Sequence, residues 1–353
     1  MEHRPEPRRS LAFYQALPKV ELHRHLEGSL RLETLVEVAR QHGLAGGEQL
    51  SRLVQVSRSE PHTIQNFLSK FETLRQFYRT CEIIGRITRE AIADAAADNV
   101  RYLELRFTPA ALCKARGFAM AEVIDWVIAG MQQAQTTDGT MTRLIISLNR
   151  HEPPALAEQA IRLAVERMPQ GVVGIDVAGN EAGHPDLDQF AGMLAEARQA
   201  GLGITIHAGE WGEAAHVARA IERYQADRIG HGVRVMEDAA LAAQAREAGI
   251  PFEVCLTSNV QSGVAPSLAD HPFKRMLDAG LNVTLNTDDP SISQITLGSE
   301  QQLACERLGI PLAVLKQWLL RAAQAAFLAQ DERTALAQRL GVAFDQAASE
   351  QGA

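Results

Sequence analysis

Two histidines one residue apart, His23 and His25, close the apolar stretch of LPKVELHRHLEGSL, residues Leu17–Leu30. Side chains alternate faces along a strand, so both imidazoles project to one side while Arg24 takes the other. That is half of the donor set a divalent metal needs, and imidazole suits zinc. The pair could equally share a polar pocket, because two ligands do not make a site. Further candidates stand in HAGE (His207, Glu210), RIGH (His231) and TDDP (Asp288, Asp289). Singly, each has a plain structural explanation. A core histidine can bond to backbone, an acid can sit at a helix N-terminus, Gly230 and Gly232 can flank a turn, and an aspartate before Pro290 can cap a helix.

The elements that must carry these residues decide between the two explanations. Short strands are expected at Lys19–His25, Tyr102–Phe107, Arg143–Leu148, Val172–Val177, Gly203–His207, Arg228–His231, Phe252–Leu256 and Asn282–Asn286, with amphipathic helices between them. Such alternation implies parallel βαβ units, and eight of them imply an α/β fold of the (β/α)8, or TIM-barrel, class. A doubly wound sheet would favour a glycine-rich phosphate loop, and neither GxGxxG after strand one nor GxxxxGK[ST] is present. A single barrel domain over residues 1–353 is expected, with a helical insertion at about 26–100 after strand one and C-terminal helices at about 299–353. Residues 1–16 suggest a loose arm, AASEQGA a frayed end, and 64–78 one helix whose Ile64, Phe67, Leu68, Phe71, Leu74 and Phe77 or Tyr78 pack in the core, unless the Phe67, Leu68 and Phe71 face covers a ligand.

Catalytic groups of such a barrel gather at the C-terminal strand ends. His23 and His25 fall at the end of strand one, His207 and Glu210 at strand five, His231 at strand six, and Asp288 and Asp289 at strand eight. Chance explains each alone but not all together. His23, His25, His207 and Asp288 supply three neutral nitrogens and a carboxylate, a set for one zinc ion that leaves a place for water. The ion would bring the pKa of that water toward about 7. Glu210 is placed to move a proton, and His231 to orient hydroxide or stabilise charge.

Composition narrows the partners. Among 353 residues, 35 basic and 43 acidic side chains leave a formal charge of -8, so no basic footprint for nucleic acid is expected. No run of about 18 apolar residues suggests a membrane span, and MEHRPEPRRS precedes no apolar segment of a signal peptide, which makes the cytoplasm the expected compartment. Cys81, Cys113, Cys255 and Cys305 form no Cys-x-x-Cys pair. Oligomeric state is not legible.

HxHLEG, VVGIDVAGNE, HAGE, RIGHG, LTSNVQSG and NTDDP, in that order between Leu17 and Asp289, together resemble the adenosine deaminase family of the amidohydrolase superfamily. The resemblance implies one zinc per chain on His23, His25, His207 and Asp288. It implies that Glu210 protonates purine N1, that His231 assists the attacking hydroxide, that the Gly179 backbone meets N3 and that Asp289 meets N7. Binuclear relatives carry a lysine at the end of strand four, where this chain has GIDVAGN, so one metal is implied. Zinc deaminases built on P-C-x-x-C are excluded by the cysteine spacing. Adenosine deaminases usually have aspartate where this chain has Glu27, and glutamate there is common in deaminases of adenine or modified nucleosides. IQNFLSKF, however, resembles the helix that closes over the ribose, with Ile64, Phe67, Leu68 and Phe71 as its apolar face. The longer match favours adenosine, and 2'-deoxyadenosine with it, in purine salvage; free adenine or a 5'-modified adenosine is the alternative. A non-catalytic relative would lack one of these groups, and none is missing.

Overall fold

The computed structural model describes residues 8–44, 49–57 and 59–350. Strands β1 (Lys19–His25), β2 (Val100–Phe107), β3 (Met141–Asn149), β4 (Val172–Ala178), β5 (Gly203–Ala208), β6 (Arg228–His231), β7 (Pro251–Val254) and β8 (Asn282–Leu285) pair in parallel in chain order. Helices follow the strands and cover the outside of a nearly closed (β/α)8 barrel. Side chains make the closing seam. The Asn286 carboxamide oxygen accepts the Leu22 N–H at 2.9 Å, and the Glu21 carboxylate accepts the Thr287 N–H at 3.0 Å. Backbone pairing then resumes past the end of β8, where Asp288 N–H donates to His23 C=O at 2.9 Å and His25 N–H to Asp288 C=O at 2.8 Å.

The barrel interior is ionic. In β2, Tyr102, Glu104 and Arg106 alternate with Leu103, Leu105 and Phe107, so the pleat sends one set inward and the other to the helices. Arg228 of β6 bonds to Glu104 at 2.5 Å and to Glu253 of β7 at 2.6 Å. β2 and β6 stand on opposite sides of the ring, so the Arg228–Glu104 contact must cross its centre. Phe327, from the segment after the helix Leu312–Ala325, plugs the lower end, with the Arg228 guanidinium 3.6 Å from its ring centroid. A Cβ on Gly203 would stand 2.4 Å from that ring. Gly203→Ala is therefore expected to cost about 1–3 kcal/mol by overpacking; urea denaturation checks the value, and turnover per folded molecule should stay near wild type.

Some boundaries differ from the sequence expectation. Strand seven stops at Val254, because Leu256 opens a short helix, Leu256–Gln261, whose Thr257 N–H is bound by Glu300 at 2.9 Å. The expected loose arm contains a helix, Leu11–Ala16, capped by Ser10; residues 1–7 lie outside the described residues. The final helix runs Gln330–Glu350, through most of the stretch expected to fray, and residues 351–353 lie outside the described residues. The single helix expected at 64–78 is an α-helix, Ile64–Leu74, continued by a 3-10 turn, Arg75–Phe77. With Leu32–His42, Leu50–Val54 and Cys81–Ala97 it lies between β1 and β2.

Candidate active site

The C-terminal strand ends bring one ligand atom from each of His23, His25, His207 and Asp288 within 4.8 Å of one another. His25 Nε2 faces His207 Nε2 at 3.4 Å and Asp288 Oδ1 at 3.4 Å; His23 Nε2 is 3.1 Å from Asp288 Oδ1. The tautomers explain why these atoms can crowd. His23 Nδ1–H donates to Glu253 at 2.8 Å and His207 Nδ1–H to Asp176 at 2.9 Å, so both Nε2 lone pairs point to the centre. His23 Nε2 is buried and has no hydrogen-bond partner. Converging lone pairs repel unless a cation lies between them, so the donor set fits a zinc ion.

Buried charge tunes the cluster. Burial alone would raise the Asp288 pKa, but the imidazoles around it, His231 first, hold it well below the usual carboxylate range. Ser258 donates to its other oxygen at 2.7 Å. Burial pushes His25 well below the ordinary imidazole value, which keeps it neutral and able to ligate. Arg106 joins the two supporting carboxylates, 2.8 Å from Glu253 and 3.4 Å from Asp176. Asp176→Asn removes the anion that fixes His207 and is expected to weaken zinc binding by about 10–100-fold; competition with a chromogenic chelator measures it.

Glu210 follows β5 on a turn clamped by Glu181, whose carboxylate accepts the N–H groups of Gly209 at 2.7 Å, Glu210 at 3.0 Å and Gly212 at 2.9 Å. Burial, then the neighbouring charges of Asp288, Glu181 and Asp289, push the Glu210 carboxyl well above its usual range. This favours the protonated form of its side chain beside the histidine–aspartate cluster. His231 Nε2 lies 3.7 Å from both Glu210 and Asp288.

A chain of hydrogen bonds sets the proton on His231. Phe273 N–H donates to His271 Nδ1 at 3.0 Å, so His271 carries its proton on Nε2 and gives it to Asn259 Oδ1 at 3.2 Å. The Asn259 amide must then present Nδ2 to His231 Nδ1, at 3.0 Å. His231 is left with Nε2–H aimed at the site. His231 and Asp288 both have positive φ, 58° and 69°, a strain that the closing seam and this relay hold in place.

One cavity unites most of the sequence-predicted residues: His25, Glu27, Phe67, Leu68, Phe71, Gly179, His207, Glu210, His231, Asp288 and Asp289 all line it. His23 is fully buried and does not line it. Ile64 does not line it, since it sits on the same helix face one turn before Phe67 and Leu68, beyond the rim. Glu27 accepts the Thr108 N–H at 2.9 Å with one oxygen, and the other is buried without a partner. Burial, with the charges of Asp288 and Glu27, raises the Asp289 pKa well above its usual range. Arg75, Thr108, Asn149, Ala178 and Trp211 also line the cavity, and sequence reasoning did not single them out. Nor did it find Asp176, Glu253 or Arg106, although a charge inside VVGIDV, FEVCL or YLELRF is a signal of inward burial.

A barrel with these groups at its C-terminal mouth defines a metal-dependent hydrolase. The profile of the adenosine deaminase family matches residues 18–342. An adenosine deaminase of Salmonella schwarzengrund is 34% identical over 331 residues, 93% of this chain and 98% of that one. Among solved structures, an amidohydrolase of Burkholderia ambifaria with bound zinc superposes with a TM-score of 0.89 at 28% identity, covering 99% of this chain and 97% of that one. Arabidopsis ADAL in complex with GMP gives 0.85 at 29% identity, covering 96% and 99%. The chain belongs to the adenosine deaminase family and is a hydrolytic deaminase of a small molecule. Among the described residues, no helix is long and apolar enough to cross a membrane.

Proposed function

We propose that this enzyme hydrolyses adenosine, and 2'-deoxyadenosine, to the 6-oxopurine nucleoside and ammonia, with one zinc held by His23, His25, His207 and Asp288. The observation that carries the proposal is the convergence of that donor set and the buried Glu210 carboxyl, whose pKa is pushed up by burial, on one cavity. When bound, zinc supplies the Lewis acidity that makes hydroxide available near neutral pH.

Glu210 gives its proton to purine N1, and C6 becomes electrophilic. His231, its Nε2–H directed by Asn259 and His271, orients the hydroxide as it bonds to C6. The hydroxyl proton passes to the amino group, the C6–N6 bond breaks, ammonia leaves, and the lactam keeps the proton on N1. Purine N3 and N7 are acceptors and need donors. The Gly179 N–H serves N3, and Asp289, kept protonated by burial and by Asp288, can donate to N7. Phe67, Leu68 and Phe71 cover the sugar, and Glu27 faces it. The proposed setting is purine salvage in the cytoplasm.

Free adenine is a second reading, favoured by one observation: the Thr108 N–H already holds one oxygen of Glu27. Zinc analysis beside ammonia release from adenosine, 2'-deoxyadenosine and adenine tests both. Adenosine is expected to have the highest kcat/KM. A clear preference for adenine would overturn the substrate, and a zinc-loaded enzyme that deaminates none of the three would overturn the reaction.

A further inference from the structure

Arg75 is a cation that the proposed reaction leaves unused. It stands four residues after Phe71, on the same side of the covering helix, and its guanidinium carbon is 5.7 Å from the Phe71 ring centroid. It lines the substrate cavity with Glu27, Thr108 and Asn149. Among the described residues no hydrogen bond leaves its guanidinium, no carboxylate lies within ion-pair distance, and its Nε is buried without a partner. Arg75 is half-buried, whereas the fully buried arginines are engaged: Arg106 and Arg228 by carboxylates, Arg150 by backbone carbonyls.

Its charge opposes the upward push of burial on the Glu27 carboxyl, which lines the same cavity. Glu27 is the residue assigned to the sugar. Arg75 thus lines the cavity with Glu27 and beside the Phe71 ring of the covering helix, with no hydrogen bond, among the described residues, from its donor fork. A guanidinium fork matches a phosphate better than any neutral group.

We propose that Arg75 is a specificity-determining residue that receives the phosphate of a nucleoside 5'-monophosphate, so that the deaminase accepts adenosine 5'-monophosphate as well as adenosine. This rests on the deamination proposed above. The Thr108 N–H donates to one Glu27 oxygen and so offsets part of the repulsion between that carboxyl and an incoming phosphate. An opposing account is that Arg75 only offsets the charge of Glu27. The two differ in what its removal does, since a phosphate contact affects one substrate and a charge offset affects both.

The experiment measures kcat/KM on the zinc-loaded enzyme for adenosine, adenosine 5'-monophosphate and adenosine 3'-monophosphate, in wild type, Arg75→Gln and Arg75→Lys. Wild type is expected to take the 5'-monophosphate at least as well as adenosine and to discriminate against the 3'-isomer. Arg75→Gln is expected to lower the ratio of 5'-monophosphate to adenosine by about 10–100-fold, the range of a charged hydrogen bond, and Arg75→Lys by less. If the variants do not fold, product inhibition of wild type decides: inosine 5'-monophosphate should bind more tightly than inosine, by a margin that shrinks with added salt. Deamination of adenosine with rejection of the 5'-monophosphate overturns this inference and leaves the reaction standing. An unchanged ratio in Arg75→Gln, or equal inhibition by the two products, overturns it as well. Failure on every 6-aminopurine overturns the reaction instead.

Discussion

Glu210→Gln is expected to lower kcat for adenosine by about 10²–10⁴-fold, the usual worth of a positioned general acid, with zinc content and unfolding midpoint unchanged. The amide keeps the size of the side chain and can still face N1, but it has no acidic proton to transfer. Glu210 is also not in the donor cluster, so metal retention separates loss of the proton from loss of the site. The wild-type pH profile gives a second reading of the same group. Burial, then Asp288, Glu181 and Asp289, raise its pKa well above the ordinary 4.5. The active form is the protonated one, so activity through this group is full at low pH and is lost as pH rises through the raised value. A descending limb above pH 4.5 in log(kcat/KM), absent from the residual activity of the variant, is the expected signature. A bound dication offsets the repulsion from Asp288, but burial and Glu181 still act upward. Full activity in Glu210→Gln would remove the proton role.

Asp288→Ala is expected to lose both zinc and turnover. This carboxylate is the only anion in the donor set, it stands within 3.4 Å of both His23 and His25, and Ser258 orients its second oxygen. Without it, three imidazoles face each other with no negative charge to balance a dication, and metal affinity falls with the ligand count. Zinc by atomic emission after gel filtration, set beside ammonia release, measures the effect. The same substitution leaves the Leu22–Asn286 and Thr287–Glu21 bonds of the seam intact, so circular dichroism should show a folded barrel. A variant that keeps stoichiometric zinc would remove Asp288 from the ligand set.

The sequence alone determined what depends on neighbours in the chain. Alternation places His23 and His25 on one face because the pleat has a period of two, and eight strand–helix units without a glycine-rich phosphate loop favour a closed parallel ring over an open doubly wound sheet. The strand-end rule then put His207, Glu210, His231 and Asp288 at one mouth, where the structure also has them. Tertiary structure alone decided who supports whom. His23 is 230 residues from Glu253, His207 is 31 from Asp176, and His231 takes its proton position from Asn259 and His271 on a later strand-helix unit. Such pairings follow from the angular position of each strand around the barrel and the register of its ladder, neither of which leaves a periodic trace along the chain. The same holds for the seam, where side chains of Asn286 and Glu21 replace backbone partners, and for Arg75, whose free charge is visible only once the carboxylates around it are seen to lie out of reach.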